Sequence, residues 1–78
     1  IFPVGSTVEL SDGSLAVVIE LPADNRLPDC PIIKKIKNSD GSPAANQVID
    51  LHRNNKTYIV KAVPAEKMNF NVSSVFLA

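Results

Sequence analysis

The chain has 78 residues, with 8 Lys plus Arg against 8 Asp plus Glu, so its formal net charge is zero. At 45% hydrophobic residues it can bury a core, which excludes a disordered segment, but it is long enough for only one small domain. The neutral balance argues against a dedicated binder of nucleic acid or anionic membrane, which would carry a basic excess. No apolar run approaches the roughly 18–20 residues of a membrane helix, and no charged-then-apolar signal segment opens the chain. The single cysteine, Cys30, cannot form an internal disulfide and fits a reducing cytoplasm. The abrupt start at Ile1-Phe2-Pro3, with no Met, suggests that residues 1–78 are a single β domain from the C-terminal end of a longer protein.

Gly5 is expected in a tight turn before the first strand, with Pro3 fixing the approach. Thr7 to Leu10 alternates, with Val8 and Leu10 on one face and Glu9 on the other. Leu15 to Leu21 places Val17 and Ile19 on one parity and Ala16, Val18 and Glu20 on the other. Asp12-Gly13 lies between these runs. That dipeptide between alternating apolar residues is the strongest short-range hairpin signal, and it predicts positive φ at both turn positions.

Leu21 to Cys30 holds Pro22, Asp24, Asn25, Pro28 and Asp29, and reads as a loop. Cys30 to Lys37 predicts a third strand, with Ile32 and Ile36 sharing a face with Lys34, and Ile33 sharing one with Lys35 and Lys37. Lys34, Lys35 and Lys37 read as a small basic edge that shields an outer strand. Ser39-Asp40-Gly41-Ser42 then repeats Ser11-Asp12-Gly13-Ser14 letter for letter, but the flanks differ, so shared turn chemistry explains it better than duplication.

Gln47 to Leu51 predicts a short fourth strand on Val48, Ile49 and Leu51, followed by the polar turn His52-Arg53-Asn54-Asn55-Lys56. Thr57 to Val63 is a fifth, β-rich strand. Pro64 to Met68 fits one helical turn, and the apolar tail Asn71 to Ala78 fits a strand, a short helix or a loosely ordered end. Five short strands with turn signals between them predict an all-β fold, a small antiparallel five-stranded SH3-like barrel or sandwich. Its expected core is Val8, Leu10, Val17, Ile19, Ile36, Ile49, Ile59 and Val63.

Little in the sequence carries chemistry. His52 is the only histidine, and Asp50 two residues before it makes a pair without a third metal ligand. Cys30 sits beside Pro31 with no base to activate it, and reads as a structural thiol. Three glycines are too few for a phosphate-cradling loop, and no serine sits in a nucleophile elbow. Asn55-Lys56-Thr57 and Asn71-Val72-Ser73 match the glycosylation triplet, and both read as chance. The expectation is therefore no catalytic residue, no metal site and no cofactor. Gly5, Asp12, Gly13, Asp40 and Gly41 act as structural turn residues.

Phe2-Pro3-Val4-Gly5-Ser6, Val8-Glu9-Leu10-Ser11-Asp12-Gly13 and Ala16-Val17-Val18-Ile19-Glu20 resemble the opening, hairpin and Val-rich strand of a small module that follows the catalytic core of bacterial HD-GYP phosphohydrolases. Asn25-Arg26-Leu27 and Pro31-Ile32-Ile33-Lys34 are similar to that module's loop and third strand. Asp40-Gly41 with Val48-Ile49-Asp50-Leu51 looks like its next hairpin, and Ile59-Val60 like its last strand. The resemblance covers about Phe2 to Val63. Leu27 to Pro31 is longer than the usual connection, and the tail beyond Asn69 has no counterpart. The enzymes of that family are metal-dependent phosphodiesterases that open cyclic di-GMP, and their metal-binding motifs lie in a helical core that this chain lacks. The resemblance thus implies a noncatalytic accessory domain that packs on such a core, or on another protein, and stabilises or regulates it. An apolar patch around Phe2, Val18 and the tail is the expected docking surface. The Val-Gly-Ser-x-Val opening is also loosely similar to SH3-like nucleic-acid-binding barrels of the translation or transcription type, which is the alternative reading.

Overall fold

The computed structural model describes residues 2–22, 26, 30–54 and 56–64. Among them the chain is all-β. Five strands, β1 (Thr7–Leu10), β2 (Leu15–Glu20), β3 (Ile32–Lys37), β4 (Val48–Asp50) and β5 (Ile59–Ala62), form one antiparallel sheet in the order β4-β3-β2-β1-β5. The strands are one to three residues shorter than their sequence patterns, except β1. The expected helical turn and tail lie beyond Pro64, outside the described residues, as does most of the Leu21–Cys30 loop.

The entry turn runs from Pro3 to Ser6, where the Ser6 N–H donates to the Pro3 carbonyl at 3.0 Å. Gly5 sits at the third turn position with φ +94°, where a side chain would be strained. The β1–β2 hairpin differs from the expected two-residue turn. The Gly13 N–H donates to the Leu10 carbonyl (2.9 Å) and the Leu10 N–H donates back to the Ser14 carbonyl (2.8 Å). Positive φ falls on Gly13 alone (+88°) and not on Asp12. This is a three-residue loop closed by a left-handed glycine, so Asp12 never needs the strained conformation.

The second copy of the tetrapeptide folds the same way. The Gly41 N–H reaches the Asn38 carbonyl at 2.9 Å, the Asn38 N–H reaches the Ser42 carbonyl at 2.8 Å, and Gly41 has φ +87°. In both loops the aspartate accepts from the serine two residues on. Asp12 Oδ1 takes the Ser14 N–H (2.9 Å) and hydroxyl, and Asp40 Oδ1 takes those of Ser42 (2.9 and 2.6 Å).

The core lies on one face of the sheet. Val8 and Leu10 of β1, Ala16 and Val18 of β2, Ile33 of β3, Ile49 of β4 and the following Leu51 pack together, with Phe2, Cys30 and Ile59 against them. Register explains the set, since Val8 stands opposite Ala16, Val18 opposite Ile33, and Ile33 opposite Ile49. Each fully buried Val, Leu or Ile contributes about 1.5–3 kcal/mol before conformational entropy is counted.

Of the expected core, Val8, Leu10, Val17 and Ile49 are buried, and the rest is corrected in two ways. On β2 the inward residues are Ala16 and Val18, while Val17 is buried on the opposite face, across from Thr7 and Lys34. Ile19, Ile36, Ile59 and Val63 are only half-buried. For Ile19 and Ile36 the cause is bulging. Register shifts leave Ile19 on β2, Ile36 on β3 and Val60 on β5 as extra residues without a partner across the strand. Each extra residue breaks the period-two alternation and bends the strand, which curls a short sheet towards a barrel.

The lysines of β3 also change meaning. β3 lies inside the sheet, with β2 on one side and β4 on the other, so these residues do not guard an edge. Beyond β4 the pairing continues through Lys35 N–H to the Gln47 carbonyl, Ala44 N–H to the Ile36 carbonyl, and a Lys37–Pro43 bridge.

Candidate functional site

The two Asp-Gly turns meet at one end of the sheet because β2 and β3 are adjacent and antiparallel, with Leu15 opposite Lys37. A Cβ at Gly13 would lie 3.3 Å from the Ser39 Cβ. Lys35 shares the inner face with Ala16 and Ile33, and its ammonium reaches Asp12 Oδ2 at 3.2 Å. The Lys35 side chain is 16% exposed and that of Asp12 45%, so a lysine with a covered stem holds a half-open carboxylate.

The Ser14 hydroxyl is the main cause holding the Asp12 carboxyl below the usual carboxylate range, with the Ser14 N–H and Lys35 adding to it against the opposing effect of burial. Asp40 is lowered in the same direction, chiefly by the Ser42 hydroxyl and then by its N–H. A third segment joins this end. The Ser11 N–H donates to the Tyr58 carbonyl at 2.8 Å, and the Tyr58 N–H donates to Ser11 Oγ at 3.2 Å. The hairpin loop thereby clamps the start of β5.

The sequence pair Asp50 and His52 does not form a metal or proton-transfer site. Asp50 Oδ1 accepts the backbone N–H of His52 at 3.0 Å, so the carboxylate closes a turn and the imidazole is exposed. Among the described residues no group of three or more His, Cys, Asp or Glu side chains could hold a metal ion. Cys30 is a free, half-buried thiol against the core. No helix among the described residues is long and apolar enough to cross a membrane.

The expected docking patch is corrected at Val18 and Phe2, while its tail lies outside the described residues. Val18 is fully buried, and Phe2 is half-buried against the core, so neither forms a free apolar surface. Among the described residues the exposed large apolar side chains are Val4, Leu21, Val48, Tyr58 and Val60. Lys35 is the residue whose role sequence reasoning missed. Its shared parity with Ile33 was a local signal, but its partner lies 23 positions away.

Among the described residues these features define a small all-β domain of barrel type in which Asp12, Asp40 and Asp50 are occupied in turns. Comparison with family models refines this class. The model for the KOW domain associated with HD domain matches residues 7–71, and the chain belongs to that family. KOW domains are SH3-like barrels, in agreement with the five-stranded sheet. The family's description fits a C-terminal accessory domain of an HD-domain protein. No curated protein and no solved structure is significantly similar to the chain.

Proposed function

We propose that this domain is the noncatalytic accessory module of an HD-GYP-type cyclic di-GMP phosphodiesterase of the bacterial cytoplasm, and that it packs on the catalytic core and stabilises or regulates it. The family match over residues 7–71, to a domain described by its association with an HD domain, carries this reading. The resemblance of the hairpin motif to that of the HD-GYP module supports the finer assignment. The free thiol of Cys30 supports a reducing compartment.

Proteins rather than nucleic acids are the proposed partners. The net charge is zero. Of the three lysines on β3, Lys35 is committed to Asp12, which leaves a weak basis for phosphate contacts. The test is deletion of the module from an HD-containing parent. Loss of thermal stability or altered turnover of cyclic di-GMP is the expected result. A deletion that changes neither, for cyclic di-GMP and for simpler phosphoesters alike, overturns the reading.

A further inference from the structure

We propose that the outer edge of β5 is a strand-pairing site for an extended, acidic segment of a partner protein. The proposal rests on the accessory reading only in taking a protein as the partner. β5 ends the strand order, and no described strand lies beyond it. One side of β5 is satisfied by β1, with Val8 opposite Ala62 and Glu9 opposite Lys61. The other side of an end strand presents alternate N–H and C=O groups without ladder partners. Val60, Lys61 and Ala62 are all exposed, and no backbone bond among the described residues ties them to a further strand.

Register sets the chemistry of the occupant. A row crosses the sheet from Lys37 through Leu15 and Glu9 to Lys61. Charge alternates along its end, Glu9 against Lys61, so the next position beyond Lys61 favours a carboxylate. Val60 (52% exposed) and Ala62 on either side of Lys61 favour small or apolar neighbours.

A lysine and a bulge are also what edge strands use to prevent indiscriminate pairing. Here they act as a filter. A second copy of β5 would add another lysine to a strand whose only charged side chain is Lys61, whereas an acidic strand meets an opposite charge. Main-chain bonds would then supply affinity and Lys61 the selection, as in strand addition generally.

The test is a titration of the isotope-labelled chain with a capped peptide of about eight residues alternating Val and Glu, long enough to span an edge strand. Two further titrants are the same peptide with Lys replacing Glu, and a short single-stranded RNA. The Glu peptide is expected to shift the amide signals of Val60–Ala62 and slow their hydrogen exchange. Lys61→Glu is expected to weaken it about tenfold, with only the small loss of thermal midpoint that a second carboxylate opposite Glu9 brings. Equal binding of the Lys peptide, shifts confined to other strands, binding of RNA but not peptide, or dimerisation through β5 would each overturn the assignment. In an HD-containing parent, a deletion that matters combined with a silent Lys61→Glu sinks only the edge proposal. A silent deletion sinks the accessory reading, and the peptide titration still decides the edge.

Discussion

A Cβ at Gly13 would sit 3.3 Å from the Cβ of Ser39, so the two Ser-Asp-Gly-Ser loops touch although they lie far apart in sequence. Gly41, in the same loop geometry, has nothing within 4 Å of that position. Both glycines have φ near +90°, so alanine is strained at either site. Only Gly13→Ala adds a clash, because the Ser39 Cβ lies close to the backbone and has little room to give. Urea unfolding is expected to show a loss of about 1–2 kcal/mol for Gly41→Ala and roughly 1 kcal/mol more for Gly13→Ala. Equal losses would mean that the loops separate easily in solution.

Acid sensitivity should follow from the lowered Asp12 and Asp40 carboxyls. A carboxyl whose folded value lies below its unfolded value of about 3.9 stabilises the fold above that value. The contribution is full above about pH 5 and is lost as pH falls below about 4 and through the folded values. Asp12→Asn removes the countercharge of a mostly covered Lys35 and should cost about 1 kcal/mol near neutral pH, after allowing for solvent screening at the half-open carboxylate. Asp40→Asn should leave neutral stability nearly unchanged while still flattening the acid limb. Thermal midpoints from pH 7 down to about 3 check both. A steeper acid loss in either variant than in the parent would contradict the direction of these shifts.

The bulges make a second ranking testable. Ile33 is fully buried between Val18 and Ile49, and truncation to alanine should cost about 2–5 kcal/mol, enough to unfold much of so small a domain. Ile19 and Ile36 are extra residues at bulges and only half-buried, so the same truncation there should cost about 1 kcal/mol or less. Near-ultraviolet spectra and denaturant midpoints distinguish the two classes. If Ile19→Ala proved as damaging as Ile33→Ala, the inward parity of β2 would be wrong.

Legibility in the sequence followed the range of the interaction. Asp12-Gly13 and Asp40-Gly41 announce their loops because turn geometry is a local matter. The strand of Val8 and Leu10 is also plain, because β1 carries no extra residue before its end. The parity of β2 and β3 was not readable, since a bulge such as Ile19 or Ile36 looks like any other β-branched residue until its partner strand is known. Strand order was hidden for the same reason, and the β3 lysines therefore looked like edge guards. The Lys35–Asp12 contact and the Gly13–Ser39 approach depend on that order. The family signal survived because it rests on turn residues.

Among the described residues, one buried side-chain polar atom lies without a partner on the face of the sheet opposite the core cluster. Thr7 is 4% exposed, and its Oγ1 makes no hydrogen bond. It stands opposite Val17, which is fully buried, and its carbonyl accepts the Val63 N–H at 2.8 Å, so its backbone is used while its hydroxyl is not. A buried hydroxyl without a partner costs about 1–3 kcal/mol relative to its hydrated state. Valine has nearly the same shape, keeps the β-branched fit of a strand and removes the polar atom. Thr7→Val is therefore expected to stabilise the domain by about 1 kcal/mol, raising the denaturant midpoint without changing the slope. Thr7→Ser keeps the hydroxyl and loses the methyl, so it should destabilise. A Thr7→Val variant less stable than the parent would show that the hydroxyl finds a hydrogen-bond partner in solution, such as a buried water.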